Sequence, residues 1–285
     1  MRFFCPPVFK ANLLVSASIC VASLATGSGF AFAAGAPQAL IAHRAVYDLT
    51  LASSTGDKAP AAATGRIAFD FTGSACEGWM MNFRQLTTLQ PSEGEQRTSD
   101  MHSSTFEDGN AKSFKFKTET LIDGRPNEVT DGSAKKSGDG ALSLNLTRPV
   151  RSKLDLDEDV VFPTEQINRI LEAAHAGKST AEMKVFDGSD DGKKVYNTLS
   201  VIGHAAAKPP ADSAAKASDL ATTPRWPVSV SYFDVKKSDG TPDYILSFEL
   251  YDNGVSGALR LDYGDFVLKG ELTSFTPLPQ KACTP

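Results

Sequence analysis

Residues 246–269 read LSFELYDNGVSGALRLDYGDFVLK and carry the pattern that decides the fold. Apolar and polar side chains alternate over 246–250 and 259–263, and an apolar run follows at 266–269. Successive side chains of a β-strand point to opposite faces, so the alternation predicts strands with one buried face and one wet face. Asn253-Gly254 separates the first two strands and tolerates the positive φ angles of a tight turn. This stretch therefore predicts consecutive antiparallel hairpins.

The same two-residue period recurs through most of the chain. It is found at 47–51, 67–71, 79–84, 114–117, 142–146, 183–185 and 228–232. Asp-Gly pairs, which are typical of hairpin turns, start at positions 108, 123, 131, 139, 187, 191 and 239. About a dozen strands at such spacing predict a mainly β protein whose many antiparallel strands form a barrel or a strongly curved sheet.

One segment has a helical period instead. Its apolar side chains recur on a single face of a helix, at Ile167, Ile170, Leu171 and Ala174. Pro163 opens the segment, Thr164 is a candidate N-cap and Gly177 is a candidate terminator. The apolar stripe must be buried, either on the concave side of the sheet or on its rim. The sequence leaves these two positions open.

Residues 205–223 have a different composition from the segments on either side. They read AAAKPPADSAAKASDLATT and contain almost no bulky apolar side chain. A segment that can bury so little apolar surface does not offset the entropy lost on ordering. We therefore expect a disordered surface loop at 205–223, within one β domain that spans residues 34–285.

The N-terminus has the three parts of a secretory signal peptide. Arg2 and Lys10 precede an apolar run at 11–25, and Ala31-Phe32-Ala33 provides small residues for cleavage. The run is shorter than the roughly 20 residues that span a bilayer, which argues against a membrane anchor. We expect residues 1–33 to be removed, the mature chain to reside in the periplasm, and no transmembrane segment to remain.

Composition narrows the class of partner and indicates a disulfide. Removal of Arg2 and Lys10 changes the formal net charge from −5 to −7, which disfavours nucleic acid and anionic lipid headgroups as partners. Cleavage also removes two of the four cysteines and leaves Cys76 and Cys283. Two cysteines in an oxidising compartment most simply form one disulfide, because neither has the electropositive neighbours of a reactive thiol.

No motif of catalysis or cofactor binding is present in the sequence. The four histidines are isolated, and neither a nucleophile elbow nor a phosphate loop occurs. We therefore predict no catalytic, cofactor-binding or metal-ligating residues. Residues 187–192 match the start of a calcium loop, but position twelve is Thr198 where a glutamate is required, so an acidic turn is the favoured interpretation. The acidic run at 155–159 is interpreted as a solvated strand edge.

Several phrases of the sequence resemble the EipB family of cell-envelope integrity proteins. They are found at 163–178, 185–189, 194–196, 226–233, 250–255 and 261–266, and the likeness covers essentially the whole mature chain. The resemblance implies a periplasmic protein whose antiparallel strands form an open spiral or incomplete barrel around one amphipathic helix. It also implies a disulfide between Cys76 and Cys283 and a fold like that of periplasmic lipoprotein carriers. It implies no active site.

Three functions compete at this point. The first is a non-enzymatic factor that maintains cell-envelope integrity by binding another periplasmic protein or a cell-wall component. The second is a periplasmic carrier of a lipid or lipoprotein, which requires a half-barrel cavity lined by the alternating apolar faces. The third is a cell-wall hydrolase, which no motif supports. Fold likeness alone does not decide among them.

Overall fold

A computed structural model describes residues 39–56, 59–138, 141–156, 159–236, 240–281 and 283. The expected signal peptide, residues 1–33, lies outside the described residues. Among the described residues, no helix combines the length and the apolar character needed to cross a bilayer.

Fourteen strands form one sheet, in the order β8-β7-β6-β5-β4-β3-β2-β1-β14-β13-β12-β11-β10-β9. Their bounds are β1 His43–Ser54, β2 Pro60–Ser74, β3 Gly78–Pro91, β4 Arg97–Glu107, β5 Ser113–Ile122, β6 Arg125–Lys136, β7 Leu142–Arg148, β8 Ser152–Leu156, β9 Thr180–Val185, β10 Tyr196–Ile202, β11 Arg225–Asp234, β12 Tyr244–Tyr251, β13 Ser256–Asp262 and β14 Phe266–Pro277.

All neighbouring strands of this sheet are antiparallel, and the first strand pairs with the last, because β1 lies between β2 and β14. The edge strands are β8 and β9, and within the described residues they do not pair with each other. An isolated parallel bridge joins Val161, just beyond β8, to Val185 at the end of β9. The predicted open, mainly β architecture is therefore confirmed as one unclosed sheet.

The predicted turns at 139–140 and 239–240 lie wholly or partly outside the described residues, and among the others the turn at Asp131-Gly132 is wrong. Asp123 and Gly124 both have positive φ angles and connect β5 to β6, as expected of an Asp-Gly turn. Asp131-Gly132 instead lies inside β6, at a shift in the register with β7. A Cβ atom at Gly132 would lie 2.9 Å from the Phe116 ring, so this glycine is required by close packing and not by a turn.

The helix α1 spans Pro163–His175 and packs on the inner side of the sheet. Ile170, Leu171 and Ala174 are buried in one core with inward side chains of β1, β11 and β12, and Ile167 is partly buried against the same core. Gly177 has a positive φ and ends the helix as predicted. The predicted Thr164 cap is wrong, because the N-cap position is Phe162 and no side chain of the cap residue bonds to the helix.

A second apolar core holds the two ends of the sheet together. Its side chains come from β5, β6 and β7, from the connection before α1, and from the connection between β9 and β10. Phe114 stacks on Phe162 with ring centroids 5.1 Å apart, and Phe186 meets the Phe116 ring edge-on at 5.6 Å. These side chains thus reinforce the bridge between Val161 and Val185, beside which β8 and β9 do not pair within the described residues.

Residues 205–223 differ from the expected disordered loop. They contain a short helix α2, Ser213–Lys216, and a 3₁₀ turn at Asp219–Ala221. Ala215 and Leu220 are fully buried in the main core, and Asp212 Oδ2 accepts the N–H of Ala258 at 2.6 Å. Composition misled the prediction because a few small apolar side chains are enough to dock a segment on an existing core.

A disulfide joins Cys76, in the turn between β2 and β3, to Cys283 in the C-terminal tail, with the two Cα atoms 5.7 Å apart. The tail crosses the start of β1, where the N–H of Leu278 donates to the carbonyl of Ala42 at 2.8 Å. Lys281 also pairs with Glu77 at 2.8 Å. The covalent bond therefore ties the last strand to an early hairpin across β1.

Candidate functional site

The inner face of the sheet contains a cavity with two adjoining lobes, of about 190 Å³ and about 430 Å³. We call both lobes together the concave cavity. The larger lobe alone is within the size range of small-molecule sites. The residues that line both lobes come from β1 to β4, the start of α1, the β12–β13 connection and the start of β13: His43, Phe69, Met81, Thr105, Pro163, Gly254 and Ser256.

The alternation of β2 and β3 positions the apolar wall of the cavity. Phe69, Phe71, Met81 and Phe83 all point inward but are only half-buried. The helix α1 covers other parts of the inner face, so these side chains retain apolar surface toward the cavity. Phe71 also stacks on the buried Trp79 ring, with centroids 4.5 Å apart, which holds this part of the wall in place.

The smaller lobe contains a buried carboxyl group at the N-terminus of α1. Glu107, at the end of β4, is 3% exposed and accepts the backbone N–H groups of Thr164 at 2.7 Å and Glu165 at 3.0 Å. This carboxyl replaces the expected Thr164 cap, since an anion beside the first free N–H groups of a helix is stabilising. Burial raises the pKa of Glu107 to about 7, although the two N–H bonds act in the opposite direction.

His43 lies between the two lobes among aromatic rings. Its ring centroid is 5.4 Å from that of Phe69 and 5.9 Å from that of Phe275, and its Nδ1 lies 2.9 Å from the carbonyl oxygen of Ile41. Burial lowers the pKa of His43, so the ring is neutral at neutral pH. With Nδ1–H donating to that carbonyl, Nε2 is left as an acceptor.

The larger lobe is also lined by polar groups. The hydroxyls of Ser103 on β4 and Thr118 on β5 are 3.0 Å apart and bond to each other. Tyr244 on β12 stacks on Tyr232, with centroids 4.3 Å apart. Asp187 lines this lobe from the connection between β9 and β10. The concave cavity is therefore amphipathic, with the Glu107 carboxyl in its smaller lobe and several hydroxyl groups and Asp187 in its larger lobe.

The acidic turn at 187–192 has its own internal ion pairs and packing. Asp190 Oδ2 lies 2.9 Å from Lys194 Nζ and accepts the Tyr196 hydroxyl at 3.0 Å. The Thr130 hydroxyl donates to the carbonyl of Asp190 at 2.6 Å. The turn thus docks on the inner face of β6, and this docking places Asp187 at the cavity.

The remaining histidines lie apart from the concave cavity. His175 Nε2 is 2.5 Å from Asp252 Oδ1 beside Trp226, and His102 Nε2 is 3.0 Å from Asp100 on the outer side of the sheet. Sequence reasoning missed Glu107 and gave no role to His43, because neither belongs to a recognisable motif. The aromatic side chains of β2 and β3 were predicted as strand faces, and the carrier hypothesis required a cavity lined by such faces without saying which strands form it.

Comparisons with known proteins agree with this architecture. A family model described as EipB-like matches residues 34–279. The cell envelope integrity protein EipB of Brucella abortus (strain 2308) is 37% identical over 261 residues, which cover 90% of this chain and 92% of that protein. The crystal structure of a beta-barrel-like protein from Brucella abortus matches with a TM-score of 0.80 and 36% identity, over 85% of this chain and 99% of that chain. On this evidence, the chain belongs to the EipB-like family.

Proposed function

We propose that this protein is a non-enzymatic periplasmic factor that maintains cell-envelope integrity by binding another component of the envelope. The printed name of its Brucella relative and the 37% identity support the envelope role. The signal-like segment at residues 1–33 supports export. The Cys76–Cys283 bond supports an oxidising compartment, since such bonds persist in the periplasm.

The concave cavity is the observation that carries a binding role. Its wall combines apolar side chains with a few hydroxyl and carboxyl groups, which is the usual composition of a ligand site. The half-buried Phe69, Met81 and Phe83 retain apolar surface that an apolar ligand would remove from water. Each buried methylene of such a ligand contributes about 0.8 kcal/mol. We infer that the bound component presents an alkyl or acyl chain to this wall.

The same cavity favours a second, more specific candidate function, a carrier of a lipid or lipoprotein. A carrier must shelter an acyl chain and release it again, and the half-buried apolar wall of the concave cavity provides that shelter. Transfer of a labelled lipid between donor and acceptor vesicles tests this candidate. Saturable binding of the lipid without faster transfer would restrict the protein to binding.

A complementation experiment tests the proposed function with a matched pair of variants. Ser103→Trp fills the larger lobe, whereas Ser104→Trp places the same side chain on the exposed outer face of β4. Cells that lack the protein should be sensitive to detergents and to wall-directed antibiotics. We expect Ser104→Trp to restore resistance and Ser103→Trp to fail at equal abundance.

Two outcomes would contradict the proposal. Full resistance of the cells that lack the protein would remove the envelope role. Rescue by a stably folded Ser103→Trp variant would show that the concave cavity is not needed for that role.

A further inference from the structure

Among the described residues, the carboxyl and imidazole side chains that line the concave cavity are two acids and one neutral histidine, and the phenols of Tyr47 and Tyr244 also line it. Glu107 lines the smaller lobe, Asp187 lines the larger lobe, and His43 lines both. Within the part of the chain that the structure describes, neither lobe is lined by a lysine or an arginine. A carboxylate or phosphate group that entered this cavity would therefore lose its hydration without gaining a cation.

Asp187 and Glu107 differ in what they can offer to a ligand. Glu107 uses both carboxylate oxygens on the N-terminal N–H groups of α1. Asp187 Oδ1 accepts the backbone N–H of Ser189 at 2.9 Å, and the side chain of Ser189 is a second hydrogen-bond donor to this carboxyl. A carboxylate has about four lone-pair sites, so Asp187 retains capacity for a further donor. Burial raises the pKa of Asp187, and the nearby Asp190 acts in the same direction.

The carboxyl of Asp187 is held in place by the residue that follows it. Gly188 has a φ of +73°, and a Cβ atom at this position would lie 2.4 Å from Cγ of Phe116. The backbone therefore sits directly on the Phe116 ring, which fixes the start of the turn. No ion pair involves Asp187 in the described residues. The neighbouring cation, Lys194, is already paired with Asp243 at 2.6 Å and Asp190 at 2.9 Å.

The geometry points to a ligand class: the concave cavity binds an alkyl or acyl chain whose polar end donates hydrogen bonds, as a hydroxyl or an ammonium group, and Asp187 accepts from that end. Chains that end in a carboxylate or a phosphate are bound more weakly. This inference rests on the proposed binding function and names the chemistry that the same cavity selects. The hydroxyls of Ser103 and Thr118 bond to each other, so the Asp187 carboxyl is the acceptor of the larger lobe that retains capacity for a ligand.

Titration calorimetry with three eight-carbon probes at neutral pH tests the inference: octylammonium, octanol and octanoate. The chain is constant, so differences in affinity report on the polar end. We expect octylammonium to bind at least about tenfold more tightly than octanoate, which corresponds to about 1.4 kcal/mol, with octanol binding more tightly than octanoate.

Two variants connect this preference to one side chain. Asp187→Asn keeps an oxygen that can accept from Ser189 but removes the carboxylate. The affinity for octylammonium should then exceed that for octanoate by less than about threefold. Asp191→Asn removes the same charge from an exposed position on the same turn and should leave the ratio of the two affinities unchanged. Melting temperatures verify that both variants are folded.

Two kinds of result would contradict these expectations, one concerning the selectivity and one concerning binding itself. Saturable binding of all three probes with equal affinity, or a preference that Asp187→Asn leaves intact, would overturn the selectivity and leave the proposed binding function standing. Absence of binding by every probe would overturn both.

Discussion

Removal of the Cys76–Cys283 bond should lower the stability of the protein by a predictable amount. The bond closes a loop between residues 207 positions apart. In the chain-entropy model, closing so long a loop in the unfolded state stabilises the fold by roughly 5 kcal/mol, an upper figure. For a chain of this size that corresponds to a melting temperature lower by about 10 to 20 °C. Cys76→Ser, Cys283→Ser and the double variant should all melt lower by the same amount, since each loses the same bond.

Thermal unfolding followed by circular dichroism gives the measurement, and reductant provides the control. Wild-type protein with its disulfide reduced should melt together with the three variants. A decrease of less than about 2 °C would refute the reasoning, since it corresponds to about 1 kcal/mol or less. A double variant clearly less stable than both single variants would also refute it, because each cysteine would then have an independent role.

Three further perturbations test the core, the helix cap and the Asp187 turn. Leu171→Asp places a carboxylate at a position that is 2% exposed, so the free energy of unfolding in urea should decrease by about 4 kcal/mol or more. Asn168→Asp, on the exposed side of α1, should change that free energy little. Glu107 binds its proton more tightly in the folded state, with a pKa of about 7 against 4.5, so its contribution to stability is present at low pH and is lost as the pH rises through about 7. The free energy of unfolding relative to Glu107→Gln should therefore decrease by up to about 3 kcal/mol between about pH 5 and about pH 8, and parallel pH profiles would contradict this. Gly188→Ala combines a strained φ with a clash against Phe116, so it should lower the free energy of unfolding by about 2 to 4 kcal/mol. Gly177→Ala should lower it by only about 1 kcal/mol, because a Cβ atom there would meet nothing within 4 Å.

The strands that could be predicted contain a run of apolar side chains at every second residue. β7, with Leu142, Leu144 and Leu146 buried, follows the two-residue period closely. β4 was missed because its inward side chains include Ser103 and Thr105, which face the cavity and need not be apolar. The polar inward side chains that make β4 part of the site therefore also remove the apolar alternation by which a strand is predicted.

The site itself depends on contacts between distant parts of the chain. Glu107 caps a helix that begins 56 residues later in the chain. The sequence predicted Thr164 as the cap because a threonine there is of the right type and lies at the start of the helix. The sequence indicated a turn at 187–192, but the turn reaches the cavity only because Gly188 packs on the Phe116 ring. Such contacts follow from how the sheet curls, and no local pattern encodes that curvature.

Native mass spectrometry of protein purified from the periplasm of its host tests the central claim, that the concave cavity binds an envelope component through an apolar chain. Wild type and Ser104→Trp should carry a bound amphiphile, and Ser103→Trp should show the bare polypeptide mass. The account is contradicted if wild type is bare, or if Ser103→Trp retains the same bound mass as wild type.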